Sequence, residues 1–189
     1  IICEACEGSR LNRNARSVFL NGKNIAQLNE MPVIDVKKFV NQLHFEGNRA
    51  IIAEKILKEI TDRLGFLEDV GVGYLSLSRR ASSLSGGEEQ RLHLATQMGT
   101  RLTGVAYILD EPSIGLHQVD NAKLLRSLRS LQASGNTVIV IEHDLDTMLE
   151  ADHVIDMGPG AGRFGGFIVD QGLAKNLTQG LTADYLSGL

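Results

Sequence analysis

The chain has 189 residues, 43% hydrophobic and 22% charged, a globular composition that can bury one sizeable core or two small ones and excludes intrinsic disorder. Nineteen basic against 23 acidic side chains leave a net charge of −4, so any nucleic-acid contact must come from a local patch. No apolar run reaches membrane-spanning length, and Ile1-Ile2-Cys3 has neither the charged start nor the apolar stretch of a signal peptide.

Opening on Ile rather than Met, the chain reads as a piece of a longer protein. Cys3 and Cys6, its two cysteines, have a spacing that suits metal or redox chemistry better than a disulfide framework and points to a reducing, cytoplasmic home. They supply half of a tetrahedral zinc site. His44 is a weaker local candidate for a further ligand, and a reduced pair near the chain end is the simpler reading. Charge divides unevenly: residues 1–80 carry 12 basic and 10 acidic side chains, a balance of +2, and residues 81–189 carry 7 and 13, a balance of −6. Local pattern changes at the same point, which predicts two structural units.

In the first, Ser17 to Leu20 predicts a short strand before an Asn21-Gly22 turn. Pro32 followed by Asp35 to Leu43 predicts a helix. Ala50 to Leu64 predicts an amphipathic core helix, with Ile51, Ile52, Ile56, Ile60 and Leu64 at helical spacing, Glu54 and Lys58 paired on the polar side, and Gly65 as the stop. In the second, Val105 to Leu109 and Thr137 to Ile141 read as buried strands, Ala122 to Leu131 and Leu145 to Ala151 as helices, and His153 to Asp156 as a third strand. Strand, helix, strand, helix, strand predicts an α/β fold, a parallel sheet with crossover helices, preceded by a mainly helical segment. Ligands of such sheets gather at the carboxyl ends of the strands.

Three constellations lie at such places. Asp110-Glu111-Pro112 ends the first strand, a Walker B arrangement in which one carboxylate helps hold Mg²⁺ and the next polarises a water. A solvated turn is the bland alternative. Ser85-Gly86-Gly87-Glu88 is a capping-box pattern opening a helix to about Met98, and its glycines let a ligand approach bare amides suited to a nucleotide γ-phosphate. A plain cap is the alternative there. His143, in Ile141-Glu142-His143-Asp144 just past the second strand, can hydrogen-bond phosphate or orient a water, or be an ordinary structural histidine.

In order and spacing, the Leu-Ser-Gly-Gly-Glu run, strand-Asp-Glu-Pro, Ser113-Ile114-Gly115-Leu116-His117 and strand-Glu-His-Asp resemble the signature loop, Walker B, D-loop and H-loop of ABC-type ATPases. Cys3 to Leu11, Val70 to Leu77, DEPSIGLHQ (Asp110 to Gln118) and GPGAGRFGG (Gly158 to Gly166) narrow the resemblance to the UvrA family, the damage-sensing subunits of bacterial nucleotide excision repair, over essentially the whole chain. The wording after Asp-Glu resembles the amino-terminal of that family's two ABC halves.

The resemblance implies a signature-domain segment over residues 1–80 and the carboxyl-terminal part of an ATP-binding domain over 81–189. By the same resemblance, Ser85, Gly86, Gly87 and Glu88 would close over the γ-phosphate of ATP held mainly by the other ABC half of the same chain. Asp110 would be the Mg²⁺-associated aspartate, Glu111 the carboxylate that activates water, His143 a γ-phosphate contact, and Ser113 part of the loop joining two composite sites. Family function would be ATP-dependent recognition of damaged double-stranded DNA as a homodimer, followed by loading of UvrB, with zinc modules completed elsewhere.

Glu89, His93 and Val119 depart from the family's usual residues. No Gly-x-x-x-x-Gly-Lys-Ser/Thr occurs in the chain, so the loop and lysine that cradle β- and γ-phosphates are missing. The chain by itself is therefore expected to show no appreciable ATPase and at most weak nucleotide binding. Arg10, Arg13, Arg16, Arg79 and Arg80 could neutralise DNA phosphates, against the commoner reading of a solvated polar face. An ABC transporter nucleotide-binding subunit is disfavoured by the Glu of Ser-Gly-Gly-Glu and by the Cys-x-x-Cys segment; a UvrA-like paralogue outside repair stays open.

Overall fold

A computed structural model of the chain describes residues 3–4, 6–100, 102–160 and 162–188. Ile1, Ala5 of the cysteine segment and Ala161 of the glycine-rich run lie outside the described residues. Packing divides the chain into two compact units, Ile1–Ile139 and Val140–Leu189; the 80/81 boundary suggested by charge lies inside the first.

The first unit opens with helix α1 (Arg13–Arg16) and a hairpin of β1 (Phe19–Leu20) and β2 (Lys23–Asn24), antiparallel. Asn21 and Gly22 both have positive φ, 45° and 78°, as the tight turn foreseen there requires. Asn24 then caps α2 (Ile25–Glu30) in a capping box with Gln27.

Helix α3 (Val33–Asn41) packs on α4 (Asn48–Asp69) through Val33, Val36, Phe39, Val40 and Leu64. Two expectations for α4 fail. Gly65 does not stop it: Lys37 Nζ lies 3.5 Å from where a Cβ at Gly65 would stand and pairs with Glu68 at 2.8 Å, so the glycine admits a side chain from α3. The helix ends one turn and a half later at Gly71 (φ 77°), where the Gly71 and Val72 amides donate to the Glu68 and Leu67 carbonyls, 3.0 Å each, a Schellman stop. Nor is the whole apolar stripe core. Leu64 is buried, but Ile51, Ile52, Ile56 and Ile60 are exposed, because the 9 residues of α3 span about 13 Å against about 33 Å for the 22 of α4.

After a 3₁₀ turn at Ala81–Ser83 come α5 (Gly86–Thr100), β3 (Ala106–Asp110), α6 (Gln118–Ala133) and β4 (Thr137–Ile141). Strands β3 and β4 pair, joined through α6, as a parallel sheet. Buried Asn136 holds the entrance to β4: its amide accepts from Val105 N–H (3.1 Å) and donates to the Leu102 (3.1 Å) and Leu131 (2.9 Å) carbonyls. The strands are not buried on both faces as their apolar runs suggest. Tyr107 and Leu109 are buried, whereas Ile108 and Ile139 are exposed, so in this chain one face of the sheet is covered and the other open.

In the second unit Asp144 caps α7 (Leu145–Glu150), its Oδ2 accepting from Thr147 N–H at 2.9 Å. Strand β5 (Val154–Gly158) pairs antiparallel with β6 (Phe167–Gly172), with a bulge at Asp156/Met157, rather than extending the parallel run as expected. Asp156 accepts from Thr182 Oγ1 (2.8 Å) in the last helix, α8 (Gly180–Ser187).

Candidate functional site

Helix α5 begins where the Ser85–Glu88 spacing predicts. The Glu88 N–H donates to Ser85 Oγ (3.3 Å), and Glu88 Oε2 accepts from Ser85 N–H (2.7 Å) and Ser85 Oγ (3.1 Å). This is a reciprocal capping box. Ser85 and Gly86 are exposed, and no atom lies within 4 Å of the place a Gly86 Cβ would occupy. The start of the helix is therefore open at Gly86, where first-turn amides suit an anion, while the Ser85 hydroxyl proton is engaged by Glu88 Oε2. Gly87 differs: a Cβ there would stand 3.1 Å from both Arg91 Nη1 and Ile114 Cγ2.

Glu88 itself faces inward. It is buried, and its other oxygen accepts a hydrogen bond from the Tyr74 hydroxyl. That bond, then the Ser85 backbone amide, holds its carboxyl below the usual range despite burial, while burial first and the bond to Glu88 second push the Tyr74 phenol up. The carboxylate expected over a phosphate is thus the one that closes the cap.

Strand β3 delivers Asp110 exposed and Glu111 half-buried at its tip. Glu111 has φ 45°, left-handed backbone that a non-glycine residue adopts at a cost of roughly 1 kcal/mol or more. A turn follows, with Ile114 N–H donating to the Glu111 carbonyl (3.1 Å) and Leu116 N–H to the Ser113 carbonyl (2.9 Å). Arg91, buried one turn into α5, donates from Nη1 to the carbonyls of Ile114 (3.0 Å) and Pro112 (3.4 Å). Start of α5 and end of β3 are therefore neighbours in one unit, fastened by Arg91 and by the close approach at Gly87.

His143 belongs to the second unit, exposed in the loop between β4 and α7, with its backbone N–H directed to Glu142 Oε2 at 3.2 Å. Glu89 and His93 line a cavity of about 410 Å³ with Gly86, Gln90 and buried Tyr107; Val119 is exposed on α6.

The arginines separate. Arg10 donates to the Ser78 carbonyl (2.7 Å) and Arg16 pairs with Glu7 (3.3 Å). Arg79 donates to the Ser83 carbonyl (3.0 Å) and lies 3.8 Å from Glu88. Arg13 and Arg80 are exposed. Cys3 is exposed and Cys6 half-buried, and among the described residues no group of three or more His, Cys, Asp or Glu side chains could hold a metal ion. Two thiols do not make up a four-ligand zinc site.

Tyr74, Arg79 as a neighbour of Glu88, and Arg91 escaped the motif reading. Tyr74 stands within the Val70 to Leu77 run, but nothing local marks its partner.

No family model matches the chain. It is 52% identical over 98% of its length to UvrABC system protein A of Aquifex aeolicus and 53% identical over 100% to that of Streptococcus pneumoniae (strain TIGR4), covering 21% of each. The crystal structure of UvrA2 from Deinococcus radiodurans superposes with a TM-score of 0.86 at 37% identity, over 98% of this chain and 25% of that one. The chain spans about one fifth of the length of the curated relatives it matches. Identity above one half along nearly its entire length, with the fold match beside it, makes the chain UvrA-family sequence.

Proposed function

We propose that the chain is part of an ABC-type ATPase of nucleotide excision repair, contributing one side of an ATP site whose other side lies in sequence absent here. The observation that carries this reading is the ordered set of four nucleotide-site motifs within a chain more than half identical to proteins named UvrABC system protein A. Residues 1–80 would belong to the signature domain and 81–189 to the carboxyl-terminal part of an ATP-binding domain. The exposed apolar face carrying Ile108 and Ile139 suits coverage by the rest of that domain.

In this reading Ser85 and the amides of Gly86 and Gly87 bind the γ-phosphate of ATP held by the other ABC half, and Glu88 holds them in place. Asp110 supports Mg²⁺, and Ser113 lies in the loop shared by two composite sites. Bound Mg²⁺ supplies charge neutralisation on the β- and γ-phosphates. Glu111 accepts the proton of the attacking water. His143 is assigned a γ-phosphate contact from its motif alone.

The whole protein would act in the cytoplasm as a homodimer on damaged double-stranded DNA and load UvrB, with ATP and Mg²⁺ as its nucleotide requirements. Cys3 and Cys6 would join zinc ligands outside this chain, and Arg10, Arg13, Arg16, Arg79 and Arg80 are the DNA-facing candidates, all but the half-buried Arg16 being exposed. Among the described residues no helix is long and apolar enough to cross a membrane.

Phosphate release by the full-length protein tests the assignment. Glu111→Gln is expected to lower ATP turnover on the order of 10²-fold with the protein still folded; turnover within twofold of the parent would refute it.

A further inference from the structure

The signature-loop cap has support from outside its own helix. Glu88 Oε2 serves Ser85, while Oε1 accepts from the Tyr74 hydroxyl. Arg79 lies near the same carboxylate and bonds the Ser83 carbonyl just upstream of the loop. Neither Tyr74 nor Arg79 is part of α5. Both stand in the segment that leaves α4.

That segment is held firmly to the α3–α4 pair. After the Schellman stop, Val33 N–H donates to the Leu75 carbonyl (2.9 Å) and Ile34 N–H to that of Gly73 (3.0 Å), while Val70, Val72 and Leu75 are buried. A Cβ on Gly71 would stand 2.8 Å from Leu116 Cδ2, so the end of α4 also abuts the turn after β3. Tyr74, a residue 59% exposed, reaches from this body to the first turn of α5. The ring fills little core. Its hydroxyl is what engages the cap.

We propose that Tyr74 is a positioning residue that, through Glu88, sets the signature loop according to the placement of the α3–α4 region. The proposal rests on the signature-loop reading given above. With the hydroxyl present, one carboxylate oxygen is committed to Tyr74 and the other stays on Ser85. Without it, the carboxylate can turn about its terminal bond toward water, and the Ser85 amide and hydroxyl lose their fixed acceptor. Arg79 assists by fixing Ser83 and sharing the negative charge.

Steady-state ATP hydrolysis by the full-length protein tests this. Tyr74→Phe is expected to raise KM for ATP about 3- to 10-fold with kcat within about twofold. Glu88→Ala should produce at least that loss, and adding Tyr74→Phe to Glu88→Ala should produce no further change. An unchanged KM in Tyr74→Phe, or losses that multiply in the double variant, would overturn the link. If Tyr74→Phe does not fold, Arg79→Gln substitutes for it, with a smaller KM increase that also vanishes in the Glu88→Ala background. Ser85→Ala separates the two levels: normal kinetics in that variant overturn the signature-loop reading itself, whereas impaired Ser85→Ala beside normal Tyr74→Phe and Arg79→Gln overturns only the role of Tyr74.

Discussion

The start of α5 and the end of β3 each present a glutamate at a chain turn, and the protein treats the two differently. Glu88 is buried, accepts from Tyr74 and twice from Ser85, and is held ionised by those donors. Glu111 is half-buried beside exposed Asp110, on left-handed backbone. Residue type is the same; surroundings decide the role. A carboxylate ringed by local donors closes a helix, while one at a strand tip beside a second carboxylate is left at the surface of a turn. The two regions are joined by Arg91, so the helix cap and the turn after the strand tip share one fastener.

The largest expected effect comes from cutting that fastener. Arg91→Met removes the donor to the Pro112 and Ile114 carbonyls from a buried position, and should lower the local opening free energy of the turn at residues 112–116 by about 2–4 kcal/mol, read by amide hydrogen exchange. Unchanged exchange would mean that the regions are independent. Next come the adjacent glycines. Gly87→Ala forces Arg91 or Ile114 to move and should destabilise by about 1–2 kcal/mol. Gly86→Ala meets nothing within 4 Å and should stay within about 0.5 kcal/mol, both glycine variants being compared by denaturant unfolding. Equal effects would erase the contrast between a packed and an open position.

The smallest effect is that of pH. Because the Glu88 carboxyl is held below its ordinary 4.5, its contribution is present above that value and is lost as pH falls through the folded-state value. Tyr74 is raised from 10.0, so its contribution is present below that value and is lost as pH rises through the folded-state value. The cap is at full strength between the two. Glu88→Gln should flatten the acid-side loss of exchange protection in the first turn of α5; an identical acid profile would show that another group is responsible.

What could be read from residues alone was what depends on short separations. The Ser85–Glu88 box and the Asn21-Gly22 turn are completed within a few residues, and the β3 and β4 runs announce themselves by composition. Choosing between Gly65 and Gly71 as the end of α4 needs Lys37 beside the one and Val72 buried after the other. Periodicity marked the isoleucines of α4 as one face but carried no information about the length of α3. Tyr74–Glu88 and Arg91–Ile114 span 14 and 23 residues, and no local spacing encodes such pairs. β6 was missed because the glycines before Phe167 look like loop; pairing with β5 is what makes it a strand.

Arg91 has a thermodynamic consequence for the proposed ATP site. With the first turn of α5 and the turn after β3 bound to one guanidinium, the two loops are not independent degrees of freedom. Their mutual ordering is completed when the chain folds, and a ligand held at either loop would meet one already joined to the other.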